Sequence, residues 1–352
     1  MTDQNSSRPK DDTAASRSRP VTPHVTPHVT PHVTPLTGTL GAGPTLPDTA
    51  AHTQARAVVT GAIVLMVTAM TMAPLMDVIS KYLSNRHAIS PVTITWTRFI
   101  GQALLLFFFI ALRFGFSGLN GRHNLLNFVR GMLIGGAVSV FFIAIKYLPL
   151  AEAIAIFFVE PLIVLQLSAL FLGEKVGWRR NLAALVGFGG ALLIIQPTYA
   201  IFGPTALLPL VTAVLFSIYL ILSRVIGQKE NPYTMQFWSG LGGIAACSSF
   251  LLFGQWAGFE DLTLTMPASI EPVIWLVVII VIATVSHLLI IVAFSRAEAS
   301  LLAPFQYLEI ATLTVAGYFV FGEFPTPLRW LGILIIIGSG LYIFLRERRA
   351  RA

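Results

Sequence analysis

Glu160 and Glu309 stand near the middle of long apolar runs, one in each half of the chain. A carboxylate at membrane depth costs at least about 2.5 kcal/mol on insertion scales, so an acid kept there is first read as functional. Such a group can hold a proton, accept from a polar substrate group, or offset a buried cation. Arg98, a short way into the second apolar run, is the obvious cation, and Asp77 in the first run is a third acid that could pair with it.

The residues around the two glutamates have a chemistry of their own. Pro161 and Pro304 fall inside the same runs, and a proline in a helix frees the carbonyl four residues earlier, here Phe157 and Ser300. Unpaired backbone at membrane depth is tolerated only where protein or a water-filled cavity covers it, so the prolines favour a cavity beside both helices. Phe157, Phe158, Phe305, Gln306 and Tyr307 lie close by in sequence. Flat aromatic walls with a few placed polar groups suit a planar heteroaromatic ligand, although 25 phenylalanines give the chain many aromatics for packing alone.

The elements that must carry these residues follow from composition. The 352 residues are 55% hydrophobic and 11% charged, against about 25% charged in soluble domains, and the mean hydropathy is +0.77. Ten apolar runs, at 57–79, 92–112, 125–145, 151–172, 180–197, 204–226, 235–253, 273–294, 300–321 and 328–345, approach the roughly 20 residues that cross a bilayer as a helix. Their continuity excludes the alternation of barrel strands. The expected fold is an all-α polytopic membrane protein of ten transmembrane helices.

Charge sets the orientation. With a cytoplasmic N-terminus, eighteen of the 23 basic residues fall on the inner side; Lys81, Arg86, Lys146 and Arg329 fall outside, and Arg98 lies within a helix. The positive-inside rule then places both termini in the cytoplasm. The net charge of +7 is spread over loops and tails rather than one face, so no nucleic-acid partner is expected. The single cysteine, Cys247, excludes an intrachain disulfide. Residues 1–56 form a Thr/Pro/Ser-rich tail in which His24, His28 and His32 recur; the prolines keep the imidazoles off a common helical face, so a disordered low-complexity tail is expected and no metal site. Residues 347–352 form a short basic tail.

An internal repeat organises the rest. An offset of 149 aligns Glu160 with Glu309 and Gly173-Glu174 with Gly322-Glu323; an offset of 141 aligns Ser90-Pro91-Val92-Thr93 with Asn231-Pro232-Tyr233-Thr234; an offset of 151 aligns Gly187 and Gly189 with Gly338 and Gly340. The two units are 57–197 and 198–346. Five spans per unit is an odd number, so the second copy enters the membrane from the opposite side. Inverted five-helix repeats belong to transporters that open a midplane site to either face in turn. Gly135, Gly136, Gly187, Gly189, Gly190, Gly242 and Gly243 read as close helix packing, which leaves room for a homodimer. Gln102, Gln166 and His287 read as interhelical hydrogen bonds, Glu174 and Glu323 as loop geometry, and Lys81 and Arg224 as interfacial anchors.

The run Leu148-Pro149-Leu150-Ala151-Glu152-Ala153-Ile154, then Glu160-Pro161 and Phe171-Leu172-Gly173-Glu174, resembles the fourth-helix signature of the EamA group of drug/metabolite transporters. The second half answers with Ala297-Glu298-Ala299-Ser300, Ala303-Pro304-Phe305-Gln306-Tyr307-Leu308-Glu309 and Phe321-Gly322-Glu323. The resemblance covers 57–346 and implies an inner-membrane carrier of small metabolites. The Phe-Val-Glu-Pro and Ala-Pro-Phe-Gln-Tyr-Leu-Glu segments are similar to a bacterial subgroup that includes riboflavin importers, which implies riboflavin as first substrate; export of amino acids or other small metabolites is the alternative. The family's usual pattern has an apolar or small residue at the position of Glu160, so this glutamate reports a subgroup's chemistry. No nucleophile with its base, no phosphate loop and no His-Glu-x-x-His motif is present, so an enzyme is not expected and no cofactor is called for. A scaffold or receptor would not need paired midplane carboxylates.

Overall fold

The computed structural model describes residues 49–172, 177–227, 231–296 and 302–351. The His-rich tail, Gly173-Glu174 and Ser300 lie outside the described residues. Among the described residues every regular element is helical: α1 (Thr49–Arg86), α2 (Pro91–Phe114), α3 (Asn124–Tyr147), α4 (Leu150–Phe157), α5 (Glu160–Leu172), α6 (Trp178–Phe202), α7 (Leu208–Gly227), α8 (Pro232–Ala257), α9 (Ile270–Arg296), α10 (Leu308–Phe321) and α11 (Pro327–Arg351). Single 3-10 turns cover Phe116–Leu119, Gly203–Leu207, Glu260–Leu262 and Ala303–Tyr307.

The helix ends are written in the residues. Pro91 and Pro232 start α2 and α8, where the missing N–H is no loss, and the Asn231 side chain accepts from the Tyr233 amide at 2.9 Å. The repeated x-Pro-x-Thr segments are thus helix starts. Gly115, Gly258 and Gly322 end α2, α8 and α10 at φ of +71°, +76° and +70°, a region that side chains resist. The run expected to stop at Pro197 continues as α6 to Phe202, with Pro197 inside its last turns, and ends at Gly203 with φ +62°. The runs 151–172 and 300–321, expected as continuous helices, are each broken: the first into α4 and α5, the second into the Ala303–Tyr307 turn and α10.

Among the described residues seven helical stretches are long and apolar enough to cross a membrane, and one of them, Asn181–Ser223, takes in both α6 and α7. The shorter Phe305–Phe321 and Pro327–Tyr342 are apolar as well. Large side chains such as Leu112, Trp256 and Phe319 are 88%, 84% and 79% exposed on the outside of the bundle. Apolar exposure on this scale needs lipid around it, and the chain is a multi-pass membrane protein.

Packing relates the halves. α3 lies on α8 as α9 lies on α2; α1 packs on α9 and α10 as α7 packs on α3 and on α4 and α5; α6 pairs with α11. Glycines set the closest of these approaches. A Cβ on Gly242 would stand 2.0 Å from the Phe128 carbonyl oxygen, and one on Gly135 2.7 Å from Gly243 Cα, so α3 and α8 meet backbone to backbone. Gly190 and Gly332 do the same for α6 and α11, and Gly187 faces Ser339. Two glycines depart from expectation: Gly136 makes only ordinary contacts and Gly189 faces open space.

Candidate functional site

The two broken spans carry most of the candidate residues. α4 stops at Phe157, a turn follows, and Glu160 opens α5 with Pro161 as its second residue. Through the turn the Phe158 amide donates to Ile154 at 3.0 Å, the Val159 amide to Ile156 at 3.2 Å and the Leu162 amide to Val159 at 3.0 Å, so the backbone re-pairs locally. In the second half Pro304 sits in the 3-10 turn and Glu309 is the second residue of α10. Both prolines therefore start helical pieces instead of kinking helix interiors, because φ near −65° and a missing donor suit a first turn. The two glutamates keep equivalent places, each at the start of the piece beyond the break.

The aromatic set divides. The rings of Phe158 and Tyr307 stand 5.2 Å apart at 31°, and Phe157 meets Phe141 at 5.8 Å and Phe216 at 5.4 Å. Tyr307 is within electrostatic reach of Glu160, and its hydroxyl lies over Gly340, where a Cβ would be only 1.8 Å away. Phe305 instead joins a separate cluster with Ala62, Met66 and Leu302, and Gln306 is exposed. Phe157, Phe158 and Tyr307 thus form the wall, while Phe305 and Gln306 stand off it.

The charged groups approach one another without touching. Asp77 and Arg98 are each 3% exposed, and Asp77 lies within electrostatic reach of both Arg98 and Glu309. The expected ion pair is not made. Among the described residues no carboxylate reaches the Arg98 guanidinium, whose Nε and Nη1 have no hydrogen-bond partner; the ring of the adjacent Phe99 lies 5.2 Å away. Arg130, one of the eighteen inner-side basic residues, is 2% exposed inside α3; it donates to Ser239 at 3.0 Å and Gln236 at 3.4 Å and lies 4.9 Å over the Tyr219 ring. Among the described residues Gln102 and His287 form no interhelical bond: Gln102 Oε1 is buried without a partner, and His287 Nδ1 meets the Ala283 carbonyl of its own helix at 2.7 Å. Both line a small cleft with Gln236 and Tyr233. Gln166 bonds Asn181 at 3.0 Å, joining α5 to α6 as expected.

A second set of charges gathers where α1 ends. Lys81 pairs with Glu323 at 2.5 Å and donates to the Leu148 carbonyl at 2.6 Å, while Glu323 accepts from the Leu150 amide at 3.0 Å. Glu152 pairs with Arg329 at 2.6 Å and accepts from Thr198 at 2.8 Å. Lys146 pairs with Asp261, and His87 stands 3.4 Å from Glu271. Each of these four contacts joins the first half of the chain to the second. Lys81, at 3% exposure, is a buried partner and not a snorkelling anchor, and Glu323 does more than shape its loop. The sequence offers Arg329 only as an outer basic residue and Glu152 only as part of a motif; their pairing, 177 positions apart, is not legible there. Glu174 lies outside the described residues.

A two-halved helical bundle with broken helices and polar groups at the breaks is transporter architecture. Residues 60–196 and 203–345 each match the EamA-like transporter family, and the chain belongs to that family. It is 29% identical over 277 residues to an S-adenosylmethionine uptake transporter of Rickettsia conorii, covering 78% of this chain and 89% of the relative. It is 27% identical over 284 residues to a riboflavin transporter of Brucella anthropi, covering 80% of this chain and 98% of the relative. A crystal structure 20% identical in sequence superposes with a TM-score of 0.56 over 82% of this chain and 99% of that one, a likeness of fold.

Proposed function

We propose that the protein is a secondary carrier that takes up a metabolite built on a flat heteroaromatic ring, held at the interface of the repeats while the halves rock around it. The observation that carries this reading is the Phe158–Tyr307 pair, one aromatic from each half, placed beside Glu160 and next to the break that each span makes. Two rings that face one another across the repeat interface can part to admit a third.

In this reading the ten apolar runs make ten crossings as two inverted five-helix units, 57–197 and 198–346, with both termini in the cytoplasm of a bacterial inner membrane. The exchanged packing of α1 and α7, and of α3 and α9, supports the inversion. The contacts of Lys81, His87, Lys146 and Glu152 then close the outer face.

Riboflavin is the first substrate, supported by the Brucella relative and by the aromatic wall. S-adenosylmethionine is the second reading; the Rickettsia relative favours it, as do Asp77 and Glu309, two acids suited to a cationic substrate. The test is uptake of each labelled compound by a bacterium lacking its own importer, expressing the parent, Glu160→Gln or Glu309→Gln at matched membrane levels. Uptake by the parent that both variants lose supports the carrier and its site. Uptake that survives both changes keeps the carrier and removes the glutamates from the site. A well-inserted parent that takes up neither compound overturns the reading and moves export of amino acids or other metabolites to the front.

A further inference from the structure

Two arginines are buried in this bundle without a carboxylate partner. Arg98 on α2 and Arg130 on α3 are 3% and 2% exposed, and none of the ion pairs among the described residues involves either of them. Removing a guanidinium from water without a counter-charge is costly, and structures keep such groups where an anion completes them. Nε and Nη1 of Arg98 and Nη1 of Arg130 are buried donors with no acceptor. Both guanidiniums act electrostatically on His287, and both are within reach of Tyr219, so they flank one place in the bundle. At that place a cleft between α2, α8 and α9 is lined by Gln102, Gln236, Thr284 and His287, and Gln236 is itself held by Arg130.

We propose that Arg98 and Arg130 form a subsite for an anionic group of the transported substrate, a carboxylate or a phosphate ester, with Gln102 and Gln236 as its polar walls. This rests on the reading that the bundle interior is a substrate path, and of the two substrates proposed above it fits S-adenosylmethionine, whose carboxylate riboflavin lacks. Guanidinium is the group suited to both anions, since its planar donors bond two oxygens at once. Gln102, whose Oε1 has no partner, can turn its amide N–H groups to the same anion. The cleft has room for about one water molecule at roughly 10 Å³, so the anion enters as α2 and α8 part, and its arrival neutralises a buried positive pair.

The experiment uses the purified full chain in lipid nanodiscs and two pairs of probes that share a ring and differ in the anion: riboflavin against riboflavin 5′-phosphate, and S-adenosylmethionine against its decarboxylated form. The expected result is that the anion-bearing member of at least one pair binds about ten-fold more tightly, as a charge-assisted pair of bonds would give. That preference falls in Arg98→Gln and Arg130→Gln and is partly restored in Arg98→Lys. A preference within the flavin pair assigns a phosphate, and one within the sulfonium pair a carboxylate. Equal binding within both pairs overturns the subsite and leaves the proposed function standing, and this reading of the parent needs no variant to fold. Binding of none of the four probes by the folded parent overturns the subsite together with the heteroaromatic reading.

Discussion

The rings of Phe158 and Tyr307 lie 5.2 Å apart, and the two residues are separated by 149 positions, the same offset that relates Glu160 to Glu309. An aromatic contact between equivalent positions of a duplicated unit falls on the axis between the halves. Whatever the carrier binds between its repeats has to displace or join that pair. Tyr307→Phe should keep transport close to the parent, because the ring remains. Phe158→Ala and Tyr307→Ala should each raise the half-saturating substrate concentration about three- to ten-fold, the worth of one aromatic contact of about 0.5–1.5 kcal/mol. Initial uptake rates across a substrate series measure this. If alanine at both positions left that concentration unchanged, the wall would be packing alone.

The charge contacts near the end of α1 predict a conformational effect. Glu152 is 1% exposed, and its side chain is shared between Arg329 and Thr198, so truncating one partner leaves a buried charge. In a Cys247→Ser background, Ser80→Cys places a thiol at a fully buried position of α1 beside Lys81. Adding Glu323→Gln and Arg329→Gln should speed its reaction with a membrane-impermeant maleimide about ten-fold, the effect of shifting the open population by about 1.4 kcal/mol. An unchanged rate would mean that these contacts tie the halves together without gating access. A separate arm, the thermal unfolding of Glu152→Ala, should show a loss of about 3 kcal/mol.

The glycines allow a paired comparison. Gly242→Ala should disrupt α3–α8 packing, since the new Cβ would meet the Phe128 carbonyl oxygen at 2.0 Å and backbone cannot step aside. Gly189→Ala adds a methyl to open space within α6 and removes a flexible residue from a helix, so it should be neutral or stabilising by about 0.5–1 kcal/mol. Fluorescence-detected size exclusion after a temperature ramp separates the two. Equal stability of both variants would contradict the close approach of α3 and α8.

Those two glycines also mark what the sequence made legible. The apolar runs, the repeat and the glutamates follow from composition and offset, because solvent imposes them on every residue of a membrane chain. Which glycine faces a neighbour depends on helix rotation: Gly187 and Gly190, three residues apart, both face α11, while Gly189 between them faces open space. The breaks at Phe158–Val159 and before Leu308 interrupt runs expected as continuous helices, since a proline signals a freed carbonyl without saying whether the chain restarts there. Arg130 entered the sequence reading only as an inner-side charge, because its place at a helix entrance is common to anchors and to buried groups. Lys81 was misread for the same reason, its partner Glu323 being 242 residues away.

The inversion of the repeats has a direct test in two loops that follow equivalent helices. Asn120 lies after α2 and Leu264 after α8, its counterpart, and both are exposed. A parallel duplication would leave these loops on the same side of the membrane, whereas an odd number of crossings per unit puts them on opposite sides. With Asn120 cytoplasmic, as the basic residues around Arg113 and Arg122 require, Leu264 faces outward. In intact cells carrying Cys247→Ser, an impermeant maleimide should therefore label Leu264→Cys and spare Asn120→Cys, and both should react once the membrane is permeabilised. Labelling of both in intact cells, or of neither, would remove the inverted arrangement and with it the symmetry on which alternating access rests.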